Sequence, residues 1–444
     1  MTGRETARSV ALGALLACER QGAWSDGALK KAVRAAGLDR RDAALATRLC
    51  FGVMQNRMRL DYYLNLLSKT PVDRLEGAVR ESLRLGLYQL MELDRVPDSA
   101  AVNESVALVR AHSRNPRAAG MVNAILRNFL RRREELPPPA DPAVRYSHPA
   151  WLVEAFSREL GGEGVEALLS ADNGEPPTCA QVNTVKGETS AVRTALEAEG
   201  VKAVPHPWLP GCLLLENTGN LEDLPAFREG LFYIQDAAAR LAVLAAGPEP
   251  GWQVLDACAA PGGKSFAAAL AMENRGTVLS CDIHPHKEAL IQAGAARLGL
   301  SCIQTRVLDG KAFQAEYRER FDLVMADVPC SGLGIIRKKP DIRYKDPEPL
   351  AGLPRVQSAI LDNVARYVKP GGVLLYATCT LLRRENGDVV RSFLEQHGEF
   401  SLEGFTLPGP IGRVEEGMLT LWPHLHGTDG FFFAKLRRSA RGDL

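Results

Sequence analysis

The chain has 444 residues, of which 46% are hydrophobic and 24% charged, and its formal net charge is +1. This is the composition of an ordinary soluble globular protein with two to four domains. No apolar run approaches the roughly 18 residues of a membrane span, so an integral membrane protein is excluded. The nine cysteines form no C-x-x-C pair, which argues against a zinc site or a disulfide framework and favours a reducing, cytoplasmic location.

The charge is unevenly distributed along the chain. Residues 1–135 carry 23 Lys and Arg against 15 Asp and Glu, whereas the remainder carries 31 against 38. A basic part joined to an acidic part is typical of a nucleic-acid-binding module attached to another domain. A solvated helical surface that happens to favour arginine would give the same count.

Residues 1–136 are predicted to be all-helical. Apolar residues recur at helical spacing, as in Val79, Leu83, Leu87 and Leu90, so each helix has one stripe to bury. Leu15–Cys18 resembles a lipoprotein cleavage box, but its apolar run continues into further helix, and we expect no secretion.

The last predicted helix of this part ends in a group of arginines, which are Arg127, Arg131, Arg132 and Arg133. Arginines in a last helical turn complement the helix dipole, and four together also form a phosphate-binding patch.

Prolines 137, 138, 139 and 142 predict a stiff linker over residues 137–149 and a domain boundary. A small α+β subdomain is predicted over 150–235, with strands near Cys179 and Leu213 and a helix near Ser190. Gln235 and Asp236 predict a helix-capping junction that leads into a third domain over 236–440.

The third domain begins with the run from Val254 to Lys264, which predicts a strand, a glycine-rich turn and a helix. Such a loop presents backbone N–H groups to a polar or anionic ligand. Its adjacent Gly262 and Gly263 match neither G-x-G-x-x-G nor the phosphate-loop motif, and an ordinary strand-to-helix turn remains the alternative.

Four further apolar strands follow at the spacing of alternating βα units, and each ends in a residue able to do chemistry. These strand-end residues are Asp282, Asp309, Asp327 followed by Cys330, and Cys379. Because ligands of open α/β sheets bind outside the carboxyl ends of the strands, we expect these side chains to converge on one crevice.

Two strands near the end of the chain, around Met418 and Phe432, predict a terminal antiparallel hairpin. His424 and His426 between them have no cysteine or acidic partner nearby, so we expect no metal site.

Three motifs of this domain resemble those of the RNA 5-methylcytosine methyltransferases, the Nop2/Sun/Fmu family. They are Asp-Ala-Cys-Ala-Ala-Pro-Gly-Gly-Lys at 256–264, Asp-Val-Pro-Cys-Ser-Gly-Leu-Gly at 327–334 and Tyr-Ala-Thr-Cys-Thr at 376–380. The resemblance covers roughly the C-terminal half, and it implies S-adenosylmethionine as the cofactor. The implied cofactor-binding residues are Cys258, Ala259, Ala260, Pro261, Gly262, Gly263, Lys264, Asp282 at the ribose, Asp309 near the adenine, and Asp327 between cofactor and base.

The same resemblance implies the catalytic roles. Cys379 of the Thr-Cys motif would be the nucleophile and Cys330 of the Pro-Cys motif would assist product release, with Asp327 and Lys264 completing the catalytic set. Amino-methyltransferases carry an aromatic residue where this chain has Cys330. Buried, inert thiols are the structural alternative for both cysteines.

The helical part resembles the NusB-like RNA-binding domain of the bacterial 16S rRNA members of this family, with Asn123–Arg127 similar to its last-helix motif. The implied fold is therefore multidomain: an all-α NusB-like domain, a small α+β RNA-recognition-like subdomain and an α/β Rossmann-like methyltransferase domain.

The expected RNA contacts are Arg127, Arg131, Arg132, Arg337, Lys338, Lys339 and Asn183. A solvated charged loop is the alternative for Arg337–Lys339. The family's usual Arg-Val-Asn reads Gln181-Val-Asn here, which puts one basic RNA contact in doubt.

The sequence thus predicts a cytoplasmic, monomeric 16S rRNA cytosine-C5 methyltransferase that acts on an unpaired or loop cytosine and binds neither DNA nor membranes. The same chemistry on tRNA, and an rRNA-binding assembly factor with little catalytic role, are the two alternatives.

Overall fold

The computed structural model of the chain describes residues 5–21, 25–162 and 164–440. The chain divides into two compact units. Unit 1 consists of residues 1–174 and 336–345, and unit 2 of residues 175–335 and 346–444.

Unit 1 is all-helical, as the periodicity predicts. Its helices are α1 (Ala7–Gln21), α2 (Ser25–Ala36), α3 (Arg40–Leu67), α4 (Gly77–Glu92), α5 (Asp98–His112), α6 (Ala118–Arg132), α7 (Pro142–Arg145), α8 (Ala150–Leu160) and α9 (Val165–Asp172). The predicted stripe residues Val79, Leu83 and Leu87 of α4 are buried in its core. Helices α3 and α4 pack closely because Gly52 has no side chain; a Cβ there would lie 2.0 Å from the Tyr88 ring.

A later part of the chain, Ile336–Lys345, also belongs to unit 1. Its Arg343 is fully buried, and one guanidinium nitrogen donates to Asn173 Oδ1 at 2.8 Å and to the carbonyl of Gln55 at 3.1 Å. The neighbouring Tyr344 hydroxyl donates to the Met54 carbonyl at 2.9 Å. This segment is therefore fixed in unit 1 by hydrogen bonds from Arg343 and Tyr344 to backbone carbonyls of α3 and to the Asn173 side chain.

The predicted linker 137–149 is part of unit 1. It contains α7, whose N-cap is Asp141, and its Ala143 and His148 are buried. The division between the units falls after Gly174, beyond both α8 and α9.

Unit 2 contains two larger sheets and a small hairpin. Its strands are β1 (Thr178–Val182), β2 (Lys202–Pro205), β3 (Cys212–Glu216), β4 (Phe232–Ile234), β5 (Gln253–Asp256), β6 (Thr277–Asp282), β7 (Ile303–Val307), β8 (Phe321–Asp327), β9 (Val368–Thr378), β10 (Phe400–Leu402), β11 (Phe405–Leu407), β12 (Gly412–Val414), β13 (Met418–Leu421) and β14 (Phe431–Arg438). Its helices are α10 (Thr189–Ala198), α11 (Pro225–Arg228), α12 (Ala237–Ala246), α13 (Gly263–Ala271), α14 (Pro285–Leu298), α15 (Pro347–Leu350), α16 (Leu353–Ala365), α17 (Gly387–Gln396) and α18 (Pro423–His426).

The first sheet is antiparallel with the order β2-β3-β1-β4. This sheet matches the predicted α+β subdomain. Its strand β4 comes directly before the third domain of the chain. Asp236 is the N-cap of α12, and its side chain accepts from the Ala238 N–H as the capping prediction requires.

The second sheet has eight strands in the order β10-β14-β9-β8-β5-β6-β7, and β13 pairs with β14. Strands β5 to β9 are parallel, and β14 runs antiparallel to β9. Alternate residues of β8 pack into two different hydrophobic clusters. Leu323 and Met325 belong to one cluster, and Val324 and Ala326 belong to the other. A sheet that is buried on both faces is the Rossmann-like arrangement predicted from the sequence.

The predicted terminal hairpin is confirmed by the pairing of β13 with β14. Over the described ranges, no helix combines the length and the apolar character that crossing a bilayer requires.

We expect Arg343→Ala to lower the unfolding free energy of unit 1 by about 3 kcal/mol, since several buried carbonyls lose their donor. Hydrogen–deuterium exchange of peptides from α3 and α7 measures this loss locally. Lys339→Ala, an exposed substitution in the same segment, is the control and should change the free energy by less than about 0.5 kcal/mol. Equal exchange in the two variants would show that Arg343 does not fix the segment.

Candidate active site

The glycine-rich loop connects β5 to α13 as predicted. Gly262, the N-cap of α13, has a φ of +108°, and a Cβ there would lie 2.5 Å from the Phe266 ring. Only glycine fits this left-handed, crowded position, so the backbone turns sharply at the carboxyl edge of the sheet.

The predicted strand-end acids lie at that same edge. Asp282 is the last residue of β6 and accepts the His284 N–H at 3.0 Å, while Asp327 is the last residue of β8. Asp309 follows β7 by two residues and accepts the Lys311 N–H at 3.0 Å. The parallel pairing of β5 with both β6 and β8 brings these carboxylates to one edge, as expected from the strand order.

A further acid, Asp256, was not among the predicted site residues although it also ends a strand. It is fully buried; Oδ2 accepts from the Ser265 hydroxyl at 2.7 Å, and Ser265 accepts in turn from Ser280 at 2.7 Å. Burial raises the pKa of Asp256 to about 7. Oδ1 has no hydrogen-bond partner within the part of the chain that the structure describes, so it remains available to a bound molecule.

Lys264 and Asp327 form a partly buried ion pair with an Nζ–Oδ2 distance of 2.6 Å. Burial opposes the charged form of Lys264, but the attraction of Asp327 outweighs it and raises the pKa of the ammonium group. The ammonium group also lies 4.8 Å from the centre of the Phe431 ring. The pair therefore ties the cofactor-type loop to the strand that leads into the Pro-Cys motif.

The two motif cysteines come together. Cys330 and Cys379 are both partly exposed, and their sulfurs lie 3.2 Å apart. The loops that carry them are joined by the Gly334 N–H, which donates to the Cys379 carbonyl at 2.9 Å. Gly334 must remain glycine, because a Cβ there would lie 1.9 Å from the Gly430 carbonyl oxygen. The two cysteine side chains thus converge, as the sequence predicts.

The environment makes the two thiols unequal. The hydrogen bond from Cys330 lowers the pKa of Cys379 despite burial, and Lys264 acts in the same direction. The pKa of Cys330 is raised by its hydrogen bond to Cys379, by burial and by the negative charges of Glu385 and Asp327. Cys379 is therefore the thiol that ionises first, with Cys330 as its protonated partner.

The residues that are predicted to contact RNA differ in their exposure to solvent. Arg127, Arg131 and Arg132 are exposed on α6. Asn183 is fully buried and donates to the carbonyls of Gly230 and Leu298, both at 2.8 Å. This placement does not fit the RNA contact expected of Asn183, because its amide holds backbone instead.

The basic run after the Pro-Cys loop also differs from a uniformly solvated patch. Arg337 is buried, Lys338 is half-buried and Lys339 is exposed. Gln181, which stands at the family's usual arginine position, is buried and donates to the Gln235 carbonyl at 3.0 Å.

Two residues around the cysteines were missed by the sequence reasoning. Glu385 accepts the Ser331 N–H at 2.9 Å, and Asp429 is a buried acid whose charge raises the pKa of Cys379. Asp429 precedes the predicted strand in a turn, and Glu385 follows Cys379 in a stretch without periodic pattern. Neither position carries a local signal.

We expect iodoacetamide to alkylate Cys379 before Cys330 at neutral pH, because only the thiolate reacts. Cys330→Ala removes the donor to Cys379, so its pKa should rise and its labelling rate should fall about tenfold per pKa unit gained. Mass spectrometry of the two tryptic peptides measures both rates. Cys302→Ala, a buried thiol elsewhere, is the control; faster labelling of Cys330 than of Cys379 would contradict the assignment.

The family model for the 16S rRNA methyltransferases RsmB/F matches residues 243–437. The NusB family model matches residues 5–131, and that of the ferredoxin-like domain of RsmF/B-like methyltransferases matches residues 148–222. The chain is 36% identical to the probable ribosomal RNA small subunit methyltransferase B of Bacillus subtilis, over 98% of this chain and 99% of the relative. It is 34% identical to the probable ribosomal RNA small subunit methyltransferase B of Synechocystis sp., over 98% of this chain and 100% of the relative.

The crystal structure of PH0851 superposes with a TM-score of 0.80 at 26% identity and covers 97% of this chain and 98% of its own. The three kinds of domain and their order agree with the fold predicted from the sequence. This chain therefore belongs to the RsmB/F family of methyltransferases, with a NusB-like and a ferredoxin-like domain before its methyltransferase domain.

Proposed function

We propose that the protein transfers a methyl group from S-adenosylmethionine to C5 of a cytosine in 16S rRNA, through a covalent bond between Cys379 and C6. The observation that carries the proposal is the contact of two sulfurs at 3.2 Å, in which the pKa of Cys379 is lowered and that of Cys330 raised.

The residues at the sheet edge fit the proposed cofactor. Gly262 lets the loop turn tightly against Phe266, where no side chain would fit, and the buried Asp256 Oδ1 lacks a partner within the described residues. When bound, S-adenosylmethionine supplies an electrophilic methyl group. The residues proposed to hold it are 258–264, Asp282, Asp309 and Asp327.

The first step is nucleophilic addition. C5 of cytosine is a poor nucleophile, and addition of a thiolate at C6 makes it enamine-like. The Cys379 sulfur forms a bond to C6, and the C5–C6 double-bond electrons become available at C5. Asp327 is proposed to accept a hydrogen bond from the 4-amino group of the base, and the Lys264 ammonium paired with it would offset the negative charge that develops toward N3.

The last step is elimination. After C5 has gained its methyl group, its proton passes to water, the C–H electron pair re-forms the C5–C6 double bond, and the bond from C6 to the Cys379 sulfur breaks. The departing sulfur leaves as a thiolate. The Cys330 thiol lies within hydrogen-bonding distance of that sulfur and is proposed to donate to it, which assists product release.

RNA recognition is proposed to begin on unit 1. The exposed arginines of α6 suit phosphate contacts, and the NusB-like domain precedes the methyltransferase domain in this chain. A cytosine must leave its stack to reach a partly buried thiol, so an unpaired or loop base is the proposed target. Its assignment to 16S rRNA follows the family description and the names of the relatives.

Bisulfite sequencing of total RNA from cells with and without the gene tests the proposed function. We expect one cytosine of 16S rRNA to lose protection when the gene is deleted. Loss of protection at a tRNA position would support the proposed cytosine-C5 methylation but would show that the substrate is tRNA and not 16S rRNA. No change at any cytosine would favour an rRNA-binding assembly factor.

We expect Cys379→Ala to abolish methylation and Cys330→Ala to accumulate a covalent RNA–protein adduct, because addition then proceeds without assisted release. The adduct is measured by denaturing gel electrophoresis with labelled rRNA. The Cys330→Ala, Cys379→Ala double variant is the matched control and should form none. An adduct in the double variant would place the nucleophile elsewhere.

Replacement of Arg127, Arg131 and Arg132 by alanine should weaken rRNA binding and lower the slope of log Kd against log salt by about 2, since each phosphate contact contributes roughly 0.7 to 0.9. Filter binding over a salt series measures the slope, and kcat at saturating RNA should be unchanged.

The control replaces three exposed basic residues on another helix of unit 1, namely Lys30, Lys31 and Arg34 of α2. This control variant removes the same number of positive charges as the α6 variant. A slope that falls equally in both triple variants would assign the effect to net charge and not to the α6 patch.

A further inference from the structure

We propose that Glu385 is a positioning residue that holds the loop around Cys330 and, by its negative charge, keeps Cys330 the protonated member of the cysteine pair. The inference rests on the proposed function, because it concerns the roles of the two cysteines in the methyl transfer.

The loop is held on both sides of Cys330. On one side, the Ser331 N–H donates to Glu385 Oε2 at 2.9 Å. On the other side, the Pro329 carbonyl accepts from Gln357 Nε2 at 3.1 Å, and this amide also donates to Glu385 Oε2 at 2.9 Å. Glu385 and Gln357 are both fully buried. One carboxylate oxygen thus fixes the backbone that immediately flanks the sulfur.

The same residue is anchored to the strand end that carries Cys379. The Tyr376 hydroxyl of β9 donates to the Glu385 carbonyl at 2.5 Å. The adjacent Asn386 accepts from the Thr378 hydroxyl at 2.6 Å and donates to the Thr380 carbonyl at 3.0 Å. Glu385 therefore bridges the two cysteine loops, and its position contributes to the spacing of their sulfurs.

A third contact closes the bridge. The hydroxyls of Ser331 and Thr380, the residues that follow the two cysteines, lie 2.7 Å apart in a hydrogen bond. Both residues are fully buried. Because the network is excluded from water, a small change in one partner should move Cys330 relative to Cys379.

The charge of Glu385 acts on Cys330 more than on Cys379. The groups that act on Cys330 are Cys379, through its hydrogen bond, and then the charges of Glu385 and Asp327, and all three disfavour the Cys330 thiolate. Cys379 is influenced by Cys330, Lys264, Asp327 and Asp429, and only the first two favour its thiolate. Tyr376, which packs beside the pair, remains a neutral phenol, because burial raises its pKa well above its usual value. Beyond their mutual hydrogen bond, the two thiols are distinguished by the carboxylate of Glu385, which acts on Cys330, and the ammonium group of Lys264, which acts on Cys379.

Glu385→Gln tests the charge while an amide oxygen remains available to Ser331. We expect the ratio of Cys330 to Cys379 labelling by iodoacetamide to rise about tenfold, which corresponds to one unit of relative pKa. The alkaline limb of the pH–rate profile for methylation should move to lower pH, because Cys330 then loses its proton more readily. KM for RNA should stay the same while kcat falls.

Two further variants separate charge from position. Glu385→Asp keeps the charge and withdraws it from Ser331, so we expect a labelling ratio within about twofold of the unaltered protein and a kcat about tenfold lower at unchanged KM. Glu395→Gln removes an equal charge from the exposed face of α17 and should change neither quantity. Circular dichroism confirms the fold of each variant. Should Glu385→Gln fail to fold, an unchanged kcat in Glu385→Asp would still overturn the inference.

The labelling needs no RNA, so the two hypotheses fail separately. An unchanged ratio in a folded Glu385→Gln variant, or equal changes of the ratio in the Asp and Gln variants, overturns the role of Glu385. An unaltered protein that methylates no cytosine, while the ratio still shifts in Glu385→Gln, overturns the proposed function and leaves the positioning of the cysteines standing.

Discussion

The ion pair between Lys264 and Asp327 is the interaction around which the methyltransferase domain is arranged. It joins the first turn of α13 to the carboxyl end of β8, two elements that are separated by β6 and β7 in the chain. The buried Lys264 alone would carry a large desolvation cost, which the charge of the partly buried Asp327 offsets. Their pairing fixes the glycine-rich loop beside the strand that continues into Cys330.

The order of the parallel strands explains why the pair forms. Strand β5 lies between β6 and β8, and β9 lies next to β8, so four carboxyl ends share one edge. Asp256, Asp282, Asp327 and the Thr-Cys motif each follow or end one of those strands. The concentration of acids would be unfavourable without Lys264. Burial, with a smaller contribution from Asp327, raises the pKa of Asp256 to about 7.

Unit 1 is stabilised by a different principle. Its helices bury apolar stripes, but a segment from the later chain, Ile336–Lys345, completes it through the buried guanidinium of Arg343. This segment begins directly after the loop that carries Cys330. The chain between the Pro-Cys motif and α16 therefore serves two structural tasks, one for the cysteine and one for the helical unit.

The sequence by itself determined what depends on local pattern: the helical N-terminal unit, the strand–loop–helix around Gly262, the cap at Asp236, and the placement of acids and cysteines at strand ends. Periodicity and strand termini are local properties, and motif resemblance added the family and its cofactor. Only the tertiary structure decided which buried polar groups meet. The burial of Asn183, the anchoring of Arg343 in unit 1, and the carboxylate of Glu385 beside Cys330 result from contacts between distant parts of the chain. A polar residue in a loop has no periodic signature, because its partner is chosen by how the chain crosses itself and not by its neighbours in sequence.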